Sequence, residues 1–459
     1  MAPRTAQRTA LTIALCAGFA AACASYKARP LPAGPDLAPS AARLSVDVSR
    51  LRLGPLKAHR FDPARGLDPT DVAILAVLGS PDLTARRGLA KVAAAQAFSA
   101  GLLPDPQVVL SADFPEPAGL VTAYGITPTI DLLSLITHSA ALKAARASSR
   151  QADLDLLWSE WSVAQQARQL AVTALADEAK AASLGVLAAE LDARYERSRR
   201  ALAAHDITSL VASADLASRL DAQAQLAIAV NAAAKARGDL NALVGLTPGA
   251  RLDLVAGPPL ASPTGPALET ALAALPQRRP DLLALQAGYR AQDANLRKAI
   301  LSQFPLINLG YSRQRDTGTI LTNGLTATLV APIFNRGRGD IAIQTATREK
   351  LRAEYQARLD QTVADVATAR RDREADAAAL AALEARVPTL VAAVAQARAA
   401  AGAGDISGAD LLALEQSALT QQVAMLDLKL ALALADISLE TVLFLPSDPL
   451  LSEPGGDLK

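Results

Sequence analysis

Residues 204–208 read Ala-His-Asp-Ile-Thr, and residues 403–407 read Ala-Gly-Asp-Ile-Ser, 199 positions later. Each interrupts a very long Ala-rich run with hardly another turn signal near it. Aligning the two words also aligns Leu246-Thr247-Pro248 with Leu445-Pro446-Ser447. A register that holds over about forty residues marks two copies of one unit, and the fold must be one that uses such a unit twice.

Each unit opens with a helix and then two short segments of period two. In the first, Val108, Leu110, Ala112 and Phe114 share a face opposite Gln107, Ser111 and Asp113, and the run Val121–Ile130 alternates less cleanly. In the second, Ile307, Leu309 and Tyr311 alternate with Asn308, Gly310 and Ser312. There too Leu325, Ala327, Leu329, Ala331 and Ile333 alternate with Thr326 and Thr328. Bounded by Gly and Pro, these predict hairpins over about 107–130 and 306–333. Long helices follow from near Asp131 and near Asn335. The first, to about Ala204, is roughly 74 residues or ~110 Å long. Leu380, Leu383, Val387, Leu390 and Val394 keep 3-4 spacing, as do Leu419, Val423, Leu426 and Leu430, which predicts a coiled-coil seam. Pro388 inside it is expected to bend or locally open the helix.

The start of the chain reads differently. Arg4 and Arg8 precede an apolar run from Leu11 to Ala22, the pattern of a signal peptide over 1–22. Small residues before Cys23 resemble a lipobox, with Ala20 where Leu is usual, so lipidation at Cys23 and ordinary cleavage after Ala22 or Ala24 both stand. Cys16 leaves with the signal, so no internal disulfide is expected. Residues 23–69, rich in proline, predict an extended arm on the body. The first repeat is 70–248, a linker spans 249–280, the second repeat is 281–446 and a tail covers 447–459. No later run of about 18 uncharged apolar residues appears, so no spanning helix is expected.

Net charge is +1, which gives no global field toward nucleic acid. Three histidines (His59, His138, His205) are scattered, with no nucleophile motif and no phosphate loop, so neither enzyme chemistry nor a metal or other cofactor is expected. Four strands per chain cannot close around a lumen, and open edges in lipid leave backbone groups unsatisfied. If the hairpins are membrane strands, symmetric copies must close the barrel, and three copies give twelve strands.

In this setting Arg279-Pro280-Asp281, Phe304-Pro305, Ala331-Pro332-Ile333-Phe334-Asn335 and Gly404-x-x-Ser407-x-x-Asp410-x-Leu412 acquire weight through their order. The chain resembles the TolC-like outer-membrane efflux proteins over almost its whole length. The resemblance implies a mainly α fold with a small membrane β-barrel contribution, assembled as a homotrimer with a 12-strand barrel and an α-helical barrel. It implies a duct in the outer membrane of a Gram-negative bacterium, in contact with outer-membrane lipid. Through a periplasmic adaptor protein the duct meets an inner-membrane pump, expected to be proton-driven, and substrates pass from periplasm to exterior without chemical reaction. The competing reading is a periplasmic coiled-coil lipoprotein scaffold or adaptor without a pore. By the resemblance, His205-Asp206-Ile207 and Gly404-Asp405-Ile406 are the adaptor-docking tips, and Asp410 is the acid of the periplasmic gate. Asp206 and Asp405 are also suited to cap the returning helices. Trp158 and Trp161 are expected to pack at the waist, and Tyr124, Phe114 and Tyr311 to form a sparse aromatic girdle.

Overall fold

The structure is a computed structural model that describes residues 26–44, 46–116, 119–258, 263, 265–330 and 332–444. Cys23 and the signal segment, Ala331, Leu445-Pro446-Ser447 and the tail 447–459 lie outside these. The chain divides into a unit of residues 1–37 and a unit of 38–459. The described part of the first, 26–37, is exposed and holds no helix or strand.

The second unit begins with an arm that is less extended than its prolines predict. It contains three single-turn 3-10 helices and the short helix α1 (Gly54–Ala58), and it is fastened by parallel bridges from Ala38 to Leu246 and Leu67 to Leu254. Then come α2 (Pro69–Gly79), α3 (Pro81–Gly101), β1 (Gln107–Asp113), β2 (Ala123–Asp131), α4 (Leu132–Ala203) and α5 (Ser209–Val244). The second half repeats the order with α6 (Pro266–Arg278), α7 (Pro280–Leu301), β3 (Leu306–Arg315), β4 (Leu321–Val330), α8 (Arg338–Ala403) and α9 (Gly408–Leu443). α3 and α7, β1 and β3, and α5 and α9 begin 199 positions apart, so the offset read at the two turns recurs along the unit, although α4 and α8 begin 206 positions apart.

Caps explain most boundaries. Asp68 and Asp71 form a reciprocal capping box at α2, and Pro69, Pro81 and Pro280 occupy first-turn positions where a missing N–H costs nothing. Asp131 caps α4 by accepting from the N–H groups of Leu133 and Ser134. α8 starts at Arg338 rather than near Asn335, because Arg336 and Gly337 adopt left-handed backbone before it. β4 ends at Val330, so Ile333 lies beyond the strand predicted to include it. α8 runs unbroken through Pro388, which is exposed.

The repeat builds two related cores. In one, Leu51, Leu53, Leu56 and Leu67 of the arm, the buried stretch 72–77 of α2, Trp161 to Ala171 of α4, and Leu240 to Leu246 pack together. In the other, Leu268 and Leu275 meet Leu282, Val366, Leu439 and Leu443. Trp161 donates its indole N–H to the carbonyl of Thr441 at 3.1 Å and meets Phe444 edge-on, so the first core is sewn to the end of α9. The Arg168–Glu440 ion pair, at 2.8 Å, lies buried beside it. Beyond these cores Leu380 is buried, while the other seam residues of α8 and α9 are half-buried. One helix, α8, contains an 18-residue window apolar enough to cross a membrane by composition, none of it buried. Every such window in α8 includes Arg386, so it is not the uncharged run whose absence the sequence shows, and its hydropathy comes from alanine, leucine and valine.

Burial within this unit raises the pKa of Asp71, Glu160 and Asp177, with desolvation the largest cause in each case. A raised folded pKa means the folded state holds the proton more tightly. The associated stability is complete below the ordinary carboxylate pKa and is lost as pH rises through the raised values. Unfolding in detergent should therefore need a higher temperature at about pH 5 than at neutral pH, and Glu160→Gln should flatten that profile. A midpoint that falls on mild acidification, in wild type as in the variant, would count against it.

Candidate functional site

The four strands make one antiparallel sheet in the order β1-β2-β3-β4. Register puts Leu110 opposite Ile126, Ile126 opposite Arg313, and Tyr311 opposite Leu325. Following the alternation, one face carries Val108, Leu110, Tyr124, Ile126, Ile130, Leu309, Tyr311, Leu325 and Leu329, all strongly exposed. The other carries Gln107, Ser111, Thr127, Thr129, Asn308, Ser312, Gln314, Thr326 and Thr328, with Val109, Leu306 and Val330 as its apolar members. A Cβ added to Gly310 would lie 2.6 Å from Thr326 Oγ1 and 2.7 Å from Thr129 Cγ2, so the polar face is crowded there. An apolar outer face and a polar inner face are what a strand of a water-filled membrane barrel requires. The outer edges of β1 and β4 pair with nothing among the described residues. Tyr124 and Tyr311 stand on the apolar face, and Phe114 follows β1, 78% exposed.

At the far ends of the long helices the two opening words form the same backbone motif. His205 N–H reaches the carbonyl of Leu202, and Asp206 N–H that of Ala201; Gly404 and Asp405 reach Ala401 and Ala400 in the same way. This is a Schellman ending with one left-handed residue, His205 at φ 62° and Gly404 at φ 87°. Asp206 and Asp405 act here through their backbone N–H groups. They are not the caps of the returning helices, a correction to the sequence reading. Thr208 takes the N-cap of α5 without a side-chain bond, and Ser407 caps α9 by accepting from Asp410 N–H at 3.2 Å. The cap lies two positions later than the aspartate in each turn because the two-bond ending consumes the aspartates. Ser407 Oγ also donates to Asp410 Oδ2 at 2.7 Å, so Asp410, exposed in the first turn of α9, reaches back to the cap. His205, Asp206, Gly404 and Asp405 are exposed, while Ile207 and Ile406 are half-buried. A histidine at positive φ is strained where Gly404 is not. His205→Gly should stabilise the tip by about 0.5–1 kcal/mol and Gly404→Ala should destabilise it by about 1 kcal/mol. Local amide exchange at the two turns, moving in opposite directions, checks the pair.

The two turns lie across a cleft of about 800 Å³ lined by Leu191, Arg194, Ile207, Asp215, Arg398 and Glu415 among others. Arg194 on α4 pairs with Asp215 on α5 at 2.8 Å and also donates to the carbonyl of Gly408 at the start of α9. Arg398 on α8 pairs with Glu415 on α9 at 2.6 Å and approaches Glu190 on α4 at 3.7 Å. Higher up, Lys180 reaches Asp427 at 3.0 Å. Sequence reasoning missed these residues, since the partners of Arg194 and Lys180 on α9 stand more than two hundred positions away and carry no local signal.

The histidines are less scattered than the sequence implies. His59 Nε2 lies 3.1 Å from Asp71 Oδ1 and 3.8 Å from Asp68 Oδ2. The remaining carboxylate oxygens already accept backbone N–H groups of the α2 capping box, so the cluster serves to pin the arm to α2.

Residues 271–443 match the family model described as outer membrane efflux protein. No curated protein matches the sequence. Among solved structures, the outer-membrane channel OprN is 17% identical with a TM-score of 0.71, covering 92% of this chain and 99% of its own. The CmeC outer membrane channel of Campylobacter jejuni is 14% identical with a TM-score of 0.72, over 91% and 94%. CusC, studied for conformational changes accompanying folding and transmembrane channel formation, is 17% identical with a TM-score of 0.68, over 92% and 99%. The matched family region is the second half, and the first half repeats its elements in order. The chain thus carries the outer membrane efflux protein domain at residues 271–443 and, over nearly its whole length, the fold of the outer-membrane channels.

Proposed function

We propose that this chain is one protomer of an outer-membrane efflux duct, working with a periplasmic adaptor and an inner-membrane pump, expected to be proton-driven. The carrying observation is the open four-stranded sheet with an exposed apolar face and two unpaired edges. In lipid those edges must be satisfied, and a neighbour's β4 against β1 does so. Three copies close a twelve-stranded barrel, and the exposed apolar length of α8 then packs against the next protomer in the helical wall. The tips His205-Asp206-Ile207 and Gly404-Asp405-Ile406 are the adaptor-docking points, with Ile207 and Ile406 as their apolar contacts. Cys23 is the acylated residue that adds a lipid anchor.

Asp410, one per protomer, forms a ring of three carboxylates at the periplasmic end, which attracts cations and repels anions. Its bond to Ser407 holds the carboxylate in place. The full-length protein reconstituted in a planar bilayer should conduct as a trimer. Asp410→Ala should reduce its cation selectivity by several-fold, or leave the closed trimer leakier by a similar factor. Without an oligomer in detergent and without conductance the duct reading is lost. A variant with unaltered conductance and selectivity returns Asp410 to a capping role.

A further inference from the structure

Two arginines stand on the apolar face of the sheet. Arg313 is exposed and Arg315 half-exposed, and their register partners on that face are Asn323 and Ile126 for Arg313, and Leu321 and Tyr124 for Arg315. Both lie at the end of β3 away from the helices, next to the connection 316–320. That connection is joined to the β1–β2 connection by the bond from Val121 N–H to the carbonyl of Thr317. Arg315 lies over the Tyr124 ring, 5.9 Å from its centre, and neither arginine has an ion pair among the described residues. The nearby acids are turned away or engaged. Asp113 pairs with Ala123 on the opposite face, and Asp316 accepts from the N–H groups of Gly318 and Ile320. Glu116 belongs to the β1–β2 connection and forms no ion pair among the described residues.

The surroundings are arranged for a charged group carrying hydrocarbon. Tyr311 donates to Asn323 Oδ1 at 3.1 Å, which leaves the Asn323 amide N–H groups free as donors beside Arg313. Immediately toward the helices, Pro128, Ile130, Leu309, Tyr311 and Leu325 line a shallow apolar groove of about 330 Å³ on the same face. Arg313 is four residues from Leu309, about 13 Å along an extended strand. Donors thus sit at the rim with an apolar seat just below. A solvated lumen would favour the reverse placement, because arginines serving permeating ions belong on the polar face.

We propose that Arg313 and Arg315, with Asn323, hold the phosphate of a phosphorylated lipid in the outer leaflet, whose acyl chain lies in the groove at Leu309 and Leu325. The proposal rests on the membrane-duct reading, which sets the apolar face in lipid and the hairpin connections outside. Guanidinium forks bind phosphate oxygens in bidentate fashion, and long arginine side chains reach the headgroup level from a strand end. The site fastens the β2–β3 junction to the leaflet.

The test uses the full-length protein in detergent, with lipid A as probe and dephosphorylated lipid A as control, and binding read by native mass spectrometry. Single-channel conductance and oligomer mass are measured on the same preparations. Wild type should retain phosphorylated lipid A on the order of 20-fold more tightly than the double variant R313Q/R315Q, each arginine near an anionic surface contributing about fivefold. Dephosphorylated lipid A should bind both proteins alike. If a conducting double variant binds lipid A as tightly as wild type, the lipid site is refuted and the duct stands. Displacement of lipid A by inorganic phosphate also overturns it, by assigning the arginines to a free anion. Wild type without conductance removes the duct reading itself.

Discussion

Replacing Arg279 by alanine is expected to lower stability by about 3 kcal/mol, the loss typical of breaking a buried, hydrogen-bonded ion pair from one side. Arg279 is 2% exposed and forks onto Asp281, Nε to Oδ1 at 2.7 Å and Nη2 to Oδ2 at 3.0 Å. Its third nitrogen donates to the carbonyl of Val442 at 3.1 Å near the end of α9, and its plane lies over Trp158 of α4 at 4.6 Å. One side chain therefore ties the start of α7 to two other helices. Arg358 of α8 also reaches Asp281, at 2.8 Å, and tempers the loss because the carboxylate keeps one cation. Arg279→Lys should recover little, since an ammonium cannot make the fork or stack on the indole. The measurement is the thermal unfolding midpoint of the assembled protein in detergent, together with protease sensitivity of the α6–α7 junction. A midpoint unchanged within error in the alanine variant would show that the surrounding core, and not this residue, fixes the waist.

Arg279-Pro280-Asp281 illustrates how far sequence carries. Its order among other motifs pointed to the family, and Pro280 announced a helix start. Its work as a clamp depends on Trp158 and Val442, more than a hundred positions away in either direction, which no local pattern records. The hairpins were legible because membrane strands solvated differently on two faces must alternate, and Ile307, Leu309 and Tyr311 do so without exception. β2 was blurred by Gly125, which fills a place where a Cβ would meet Ser111 Oγ, and by Pro128, which falls where the β2–β3 ladder is interrupted between Ile126 and Thr129. The long helices were plain from the lack of turn signals between Asp131 and His205. Cap positions were not, because an Asp beside a turn reads as a cap whether it closes one helix or opens the next. His59 next to Asp71 escaped notice for the same reason as Arg194. Both meet partners through the tertiary fold, one across an irregular arm and the other across two hairpins.

Arg194 carries the second large effect: Arg194→Ala is expected to raise the conductance of the resting duct by about tenfold or more. Within a protomer the hairpin α8–α9 is held to α4 at the tip by the donation from Arg194 to the carbonyl of Gly408, supported by the exposed pair of Glu190 with Arg398. The exposed pair adds little in water. A hydrogen bond from a charged donor is worth about 1.5–3 kcal/mol, and at 1.4 kcal/mol per decade its loss favours the splayed tip by about tenfold in each protomer. The substitution also strips Asp215, whose side chain is 6% exposed, of its cation, so a fall in stability alone would mimic a gating change. Arg194→Lys separates the two, because lysine keeps a charge beside Asp215 and lacks the second arm that reaches Gly408. The lysine variant should unfold near the wild-type temperature and still conduct more in the resting state. If it is stable and as closed as wild type, the tip is held shut by contacts between protomers, and Arg194 is confined to joining α4 to α5.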